Sequence, residues 1–127
     1  MAAPNIVNVN TITGVVTFVS SINTQQGGMS VIASNPASSG KVLKINTLTA
    51  AGIGATCGVT VKLFNQAAGA GTSIGIAHTV SVPVFSSLVI ISKENSIYVQ
   101  EDQSIAAFKQ VGTGGNIDII CSYEDIS

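Results

Sequence analysis

Apolar and polar residues alternate along this chain in short runs separated by Gly, Ser, Asn and Pro, and nowhere do apolar positions recur at the spacing of an amphipathic helix. From Thr11 to Ile22, the residues Ile12, Val16, Phe18 and Ile22 share one parity and Thr11, Thr13, Thr17 and Ser21 the other. This period predicts a half-buried strand with the first set facing inward. Met29 to Ala33 reads as a short strand, followed by a loop from Ser34 to Gly40 in which Pro36 bars a central ladder position. Lys41 to Thr49 is strand-like with an open facing, because Val42 and Leu48 oppose Leu43 and Ile45; a bulge or burial on both sides would reconcile them.

Gly58 to Asn65 is cleaner: Val59, Val61 and Leu63 point one way, with Cys57 in the same phase. Gln66 to Ser73, rich in Ala and Gly, predicts a flexible surface loop. Beyond it Ile74, Ile76, His78, Val80 and Val82 alternate with small residues up to Pro83, and the apolar run Val84 to Ile91 predicts a fully buried strand. Shorter strands are expected over Ile97 to Gln100 and Ile105 to Val111. In the last strand Ile117, Ile119, Cys121 and Tyr123 face inward against Asp118, Ser122 and Glu124. About eight or nine strands bounded by turn signals predict an all-β fold, a single antiparallel β-sandwich over residues 11–127 preceded by an N-terminal arm, residues 1–10. The strand count favours a jelly roll; an immunoglobulin-like sandwich is the alternative, and the absence of Trp removes its usual core marker.

Composition narrows the function. With 127 residues the chain fits one domain, and 9% charged residues against about 25% in an ordinary soluble domain leave a surface of Ser, Thr, Asn, Gln and small apolar side chains. Such a surface suits a domain packed against neighbours better than a solitary enzyme. Five Lys, no Arg and a net charge of -1 provide no basic stripe, so nucleic acid is not an expected partner. No apolar run reaches the roughly 18 residues of a membrane span, and the first residues lack the pattern of a secretory signal, so no membrane association and synthesis in a cytoplasm are expected. Cys57 and Cys121 have no metal-site spacing and fall on inward phases, which predicts buried thiols.

Four patterns could carry chemistry, and each fails on context. Gly71-Thr72-Ser73-Ile74-Gly75 matches the nucleophile elbow of α/β-hydrolases, but a strand follows Ser73 where that fold needs a helix, the only histidine, His78, precedes the possible acid partners instead of ending the series, and the chain is too short for that fold. Gly40-Lys41 resembles a phosphate loop, yet Val42 stands where Ser or Thr must hold magnesium and Asn35 where the first glycine belongs. A lone His78 makes no metal site of ordinary affinity and reads as a histidine at a core edge or subunit interface. Glu101-Asp102 and Glu124-Asp125 are adjacent pairs whose members point apart on a strand, so neither converges on one atom. No catalytic residue, metal site or cofactor is expected, and the chain reads as a non-enzyme.

The run Met1-Ala2-Ala3-Pro4-Asn5-Ile6-Val7-Asn8-Val9, with Ile12-Thr13-Gly14 after it, resembles the start of small virion structural proteins of tailed bacteriophages, especially those of marine cyanobacteria and other marine bacteria. Val80 to Asp102 and Gly115 to Ser127 are similar to the same group. The resemblance implies a virion structural component. With the small size and sandwich reading, it implies a head decoration or cement protein on the outer capsid surface. Its expected partner is the major capsid protein, and its expected state a homo-oligomer with a trimer favoured. The expected docking segment is Ala2, Ala3, Pro4, Asn5, Ile6, Val7 and Asn8, because an extended arm can add to a neighbour's sheet edge. The alternatives are a receptor- or glycan-binding tail or fibre module, or another tail or neck component.

Overall fold

A computed structural model of the chain describes residues 10–24, 28–112 and 114–127. Among the described residues nine strands form: β1 (Ile12–Val19), β2 (Ser30–Asn35), β3 (Val42–Ile53), β4 (Cys57–Phe64), β5 (Ser73–Val82), β6 (Ser87–Ile91), β7 (Ile97–Val99), β8 (Gln103–Lys109) and β9 (Asn116–Ile126). One sheet has the order β1-β9-β3-β6, with β7 following β6 along the same edge of β3; the other has the order β2-β8-β4-β5. All pairings are antiparallel and they nest: β4 with β5, β3 with β6 and β7, β2 with β8, β1 with β9. A long ribbon folded back on itself and rolled so that its strands alternate between two sheets is a jelly roll. The fold expected from the sequence is the one formed, and the jelly roll prevails over the immunoglobulin alternative.

The core lies between the sheets. Leu43, Ile45, Leu48 and Ala50 of β3 and Ile117, Ile119 and Cys121 of β9 meet Cys57, Val59 and Val61 of β4 and Ile105 and Ala107 of β8, all essentially without solvent contact. The ambiguity in β3 is resolved by a bulge. Ile45 pairs with Tyr123 and Thr47 with Ser122, so Asn46 is the extra residue and the inward phase passes from the odd to the even positions.

Three expectations are corrected. In β1 the facing is the reverse of that predicted: Ile12, Val16 and Phe18 are exposed, while Val15, Thr17 and Val19 turn toward the core. The register with β9 sets Thr17 opposite the buried Cys121, and the Thr17 hydroxyl donates to the carbonyl of Ile32 in β2 at 3.1 Å, tying the two sheets together. Val84 to Ile91 is no buried strand. Only 87–91 is extended, it lies at the edge of its sheet, and Val89 and Phe85 are exposed. The loop 66–72, expected to be flexible, is anchored: Ala67 N–H donates to Asp102 Oδ1, Ala68 N–H to Ser34 Oγ and Gly69 N–H to Ser104 Oγ, while Ser104 Oγ donates to the carbonyl of Gln66. It roofs the outer face of β8, where Ala106 is fully buried.

Gly52 is a close approach. A Cβ there would stand 2.5 Å from the carbonyl oxygen of Pro83, inside the turn that joins β5 to β6 and is held by Gly52 N–H to Ser86 O and Phe85 N–H to Gly52 O. Gly52→Ala is therefore expected to cost about 1–3 kcal/mol through forced backbone displacement, read as a lower urea midpoint at unchanged slope.

Candidate interaction surfaces

Of the residues singled out for chemistry, Glu101, Asp102 and Asp125 are engaged in holding the fold. Ser73 opens edge strand β5, and His78 stands exposed five residues along the same strand, roughly 16 Å away at strand rise, so the two do not meet. Glu101 is buried, accepts the Gly40 N–H through Oε2 at 3.2 Å, and has no partner for Oε1. Asp102 caps the short turn at Ala67, and Asp125 is paired with Lys41 at 3.3 Å. Among the described residues no group of three or more His, Cys, Asp or Glu is placed to hold a metal ion, and no helix is long and apolar enough to cross a membrane.

Both cysteines are unbridged and buried, as their inward phase predicted. Burial pushes the Cys121 thiol up to about 11, a side-chain hydrogen bond with Thr17 pulling slightly the other way, and burial together with the nearby charges of Asp125 and Cys121 raises Tyr123. Both thiols are shielded by burial, so both should resist an aromatic disulfide reagent at pH 8 for as long as the fold holds and react within seconds in denaturant. Alkaline stability follows with a definite sign. As pH rises from about 9 toward 11, the unfolded chain loses the Cys121 proton before the folded chain does. The folded state then binds more protons, and stability falls over this window. The urea midpoint should decline from pH 8.5 to 10.5, and Cys121→Ala should flatten that decline.

What the fold exposes is strand edge and sheet face. β1 and β5 are edge strands; β1 carries no charged side chain and β5 none but His78. Natural edges are ordinarily blunted by charge, proline or a cover; β1 carries neither charge nor proline, and among the described residues no strand pairs with its outer edge. The two outer faces differ. That of β4 and β8 is covered by the loop 66–72, which leaves Phe64 and Ala106 buried. On the opposite sheet Phe18, Ile120, Thr49 and Val89 stand side by side across four strands, with Phe18 76% exposed. Its one acid near this row, Asp118, accepts the Ser21 N–H at 2.7 Å. A shallow hollow of about 200 Å³ opens between Phe18, Thr49, Ala51 and Ile120.

The segment Ala2 to Asn8, expected to dock on a neighbour, lies outside the described residues. The residues that follow it are placed: the Asn10 and Thr11 N–H groups both donate to the carbonyl of Ser127, beside the end of β9. Sequence reasoning missed the exposed row because it assigned Val16 and Phe18 to the core; the competing apolar phase, Val15 and Val19, was the signal available.

No family model matches the chain, and no curated protein sequence does. Among solved structures, a chain reported under "Bacillus endospore appendages form a novel family of disulfide-linked pili" is similar at a TM-score of 0.51 and 15% identity, over 92% of this chain and 87% of that one. At that identity the likeness is one of fold, and it places this jelly roll beside a β-rich subunit of a surface appendage.

Proposed function

We propose that this chain is a structural protein of a phage virion, a head decoration protein that binds the outer capsid surface and stabilises the shell, and that it performs no catalysis. The observation that supports this reading best is the pair of long, nearly uncharged edge strands, β1 and β5, on a domain in which, among the described residues, no three His, Cys, Asp or Glu side chains are grouped to hold a metal ion. Open edges of this kind recruit partner strands by main-chain hydrogen bonding. The resemblance of both chain ends to phage virion proteins supplies the identity of the partner, the major capsid protein. A ligand that binds only the assembled shell stabilises it by its binding free energy, repeated at every copy. The solved pilus chain supports a structural role for such a jelly roll. Disulfide linkage, which its title ascribes to those pili, is closed to the native fold here, because Cys57 and Cys121 are the only cysteines and both are buried.

The test is co-sedimentation with expanded, undecorated capsids. Saturable binding at a stoichiometry set by capsid symmetry, on the order of hundreds of copies per particle, is the expected result, and deletion of Ala2 to Asn8 should reduce occupancy at least tenfold. Absence of binding, together with recognition of glycans or incorporation at about a dozen copies per particle, would move the protein to a receptor-binding, tail or neck role.

A further inference from the structure

We infer that the outer face of the β1-β9-β3-β6 sheet is covered by a second copy of this chain, and that Phe18, Ile120 and Val89 are the centre of that contact. The inference does not depend on the capsid reading. It begins with the register: Phe18 lies opposite Ile120, Ile120 opposite Thr49, and Thr49 opposite Val89. Cross-strand neighbours have Cβ atoms about 4.5–5.5 Å apart, so these side chains form one unbroken row. Val16 adjoins the row along β1, and Ile53 continues its face along β3.

At the rim stands Phe85, the most exposed large apolar side chain described, at 88%. Its φ of 60° is one that bulky residues rarely adopt. The turn imposes it, held by Phe85 N–H to Gly52 O, Gly52 N–H to Ser86 O and Ser86 Oγ to Pro83 O. A backbone strain of about 1–3 kcal/mol that only displays an aromatic ring to water is unexplained in the monomer; a partner that receives the ring explains it.

Area and charge identify the occupant. A fully exposed aromatic offers about 150–250 Å² and Val or Ile somewhat less. The exposed parts of Val16, Phe18, Ile53, Phe85, Val89 and Ile120 then amount to roughly 600 Å², the top of the range for the largest apolar patch on a monomer. With the Thr and Ala between them this approaches the roughly 800 Å² that each partner contributes to a stable interface. The central rows of the face carry no Lys, their one carboxylate, Asp118, is already bonded to a backbone N–H, and toward the far end of the face Glu124 stands opposite Lys44. Such a face meets a copy of itself with little like-charge repulsion, whereas a lipid surface is sought by faces rimmed with Lys and Arg.

Sedimentation velocity over 1–100 µM (about the range in which interfaces of this size associate) tests the inference. The unmodified chain should sediment as an oligomer, and Phe18→Asp combined with Ile120→Asp as a monomer with unchanged far-UV circular dichroism. Ile74→Asp, at a 73% exposed position on the other sheet, should leave the oligomer intact. Should the double aspartate fail to fold, Phe18→Ser with Val89→Ser, both at exposed positions, should weaken association at least tenfold. A monomer at every concentration overturns the inference, as does an oligomer indifferent to all these substitutions. A monomer that still decorates capsids overturns it while leaving the proposed function standing; an oligomer that dissociates on Phe18 and Ile120 substitution but ignores capsids supports it and removes the capsid role.

Discussion

Leu48→Ala should lower the stability of the folded chain by about 3–5 kcal/mol, among the largest effects of any single side-chain truncation. Leu48 is fully buried and is the first inward residue after the β3 bulge, opposite Ile91 on one side and Cys121 on the other. Its neighbours belong to strands paired along their whole lengths, so the surroundings have little freedom to collapse into the space left behind, and the cavity term adds to the lost transfer free energy. For a chain of this size the loss corresponds to a fall in Tm of roughly 10 °C or more. Leu48→Met, which keeps the volume, should cost less than about 1.5 kcal/mol. Thermal unfolding of the three proteins checks this, and a loss below about 1 kcal/mol in the alanine variant would mean that the bulge does not fix the inward phase of β3.

Asn35→Ala should cost about 2–4 kcal/mol for a different reason, the orphaning of buried polar groups. Asn35 closes β2 at 1% exposure, and its amide nitrogen donates to the carbonyls of Lys41 at 2.9 Å and Val99 at 3.1 Å. Its oxygen accepts from Ser39 Oγ at 2.5 Å. One side chain therefore joins the end of β2, the 36–41 loop and β7, which belongs to the other sheet. Removing it leaves two carbonyls and a hydroxyl without their partner where water has poor access, and it releases the loop that supplies the Gly40 N–H to Glu101. Chemical denaturation should show a lower midpoint, and amide exchange at Gly40 should speed up more than exchange in β9. Equal protection at Gly40 in both proteins would show that the loop is held by other means.

The sheet architecture was legible because the turn residues mark strand ends and the best alternations are unmistakable. β9 alternates as read, both cysteines are buried as read, and the open facing of β3 is closed by a bulge of the kind anticipated. β1 was misread because it has apolar residues in both phases, and the choice is made by its partner: pairing Thr17 with Cys121 turns Phe18 outward. The segment 84–91 was misread because an apolar run does not disclose whether a sheet continues on its far side. The anchoring of the loop 66–72 depends on Ser34, Asp102 and Ser104, distant in sequence and unremarkable until the fold assembles them. The docking residues Ala2 to Asn8 rest on the resemblance and on the capacity of an extended arm to add to a sheet edge.

The nesting of strand pairs has a consequence for how the protein is made. β9 comes last among the described strands in chain order, yet it lies between β1 and β3, with Ile12 set opposite Ile126. Neither of those strands can complete its ladder until Asn116 to Ile126 have been made. β1 must wait for β9, with its inward side chains uncovered until then. Folding should accordingly be slow, as for other chains dominated by distant pairings. A chain cut short within β9 would leave the sheet unclosed at its centre, so the completeness of this one strand is a condition of folding that the topology imposes.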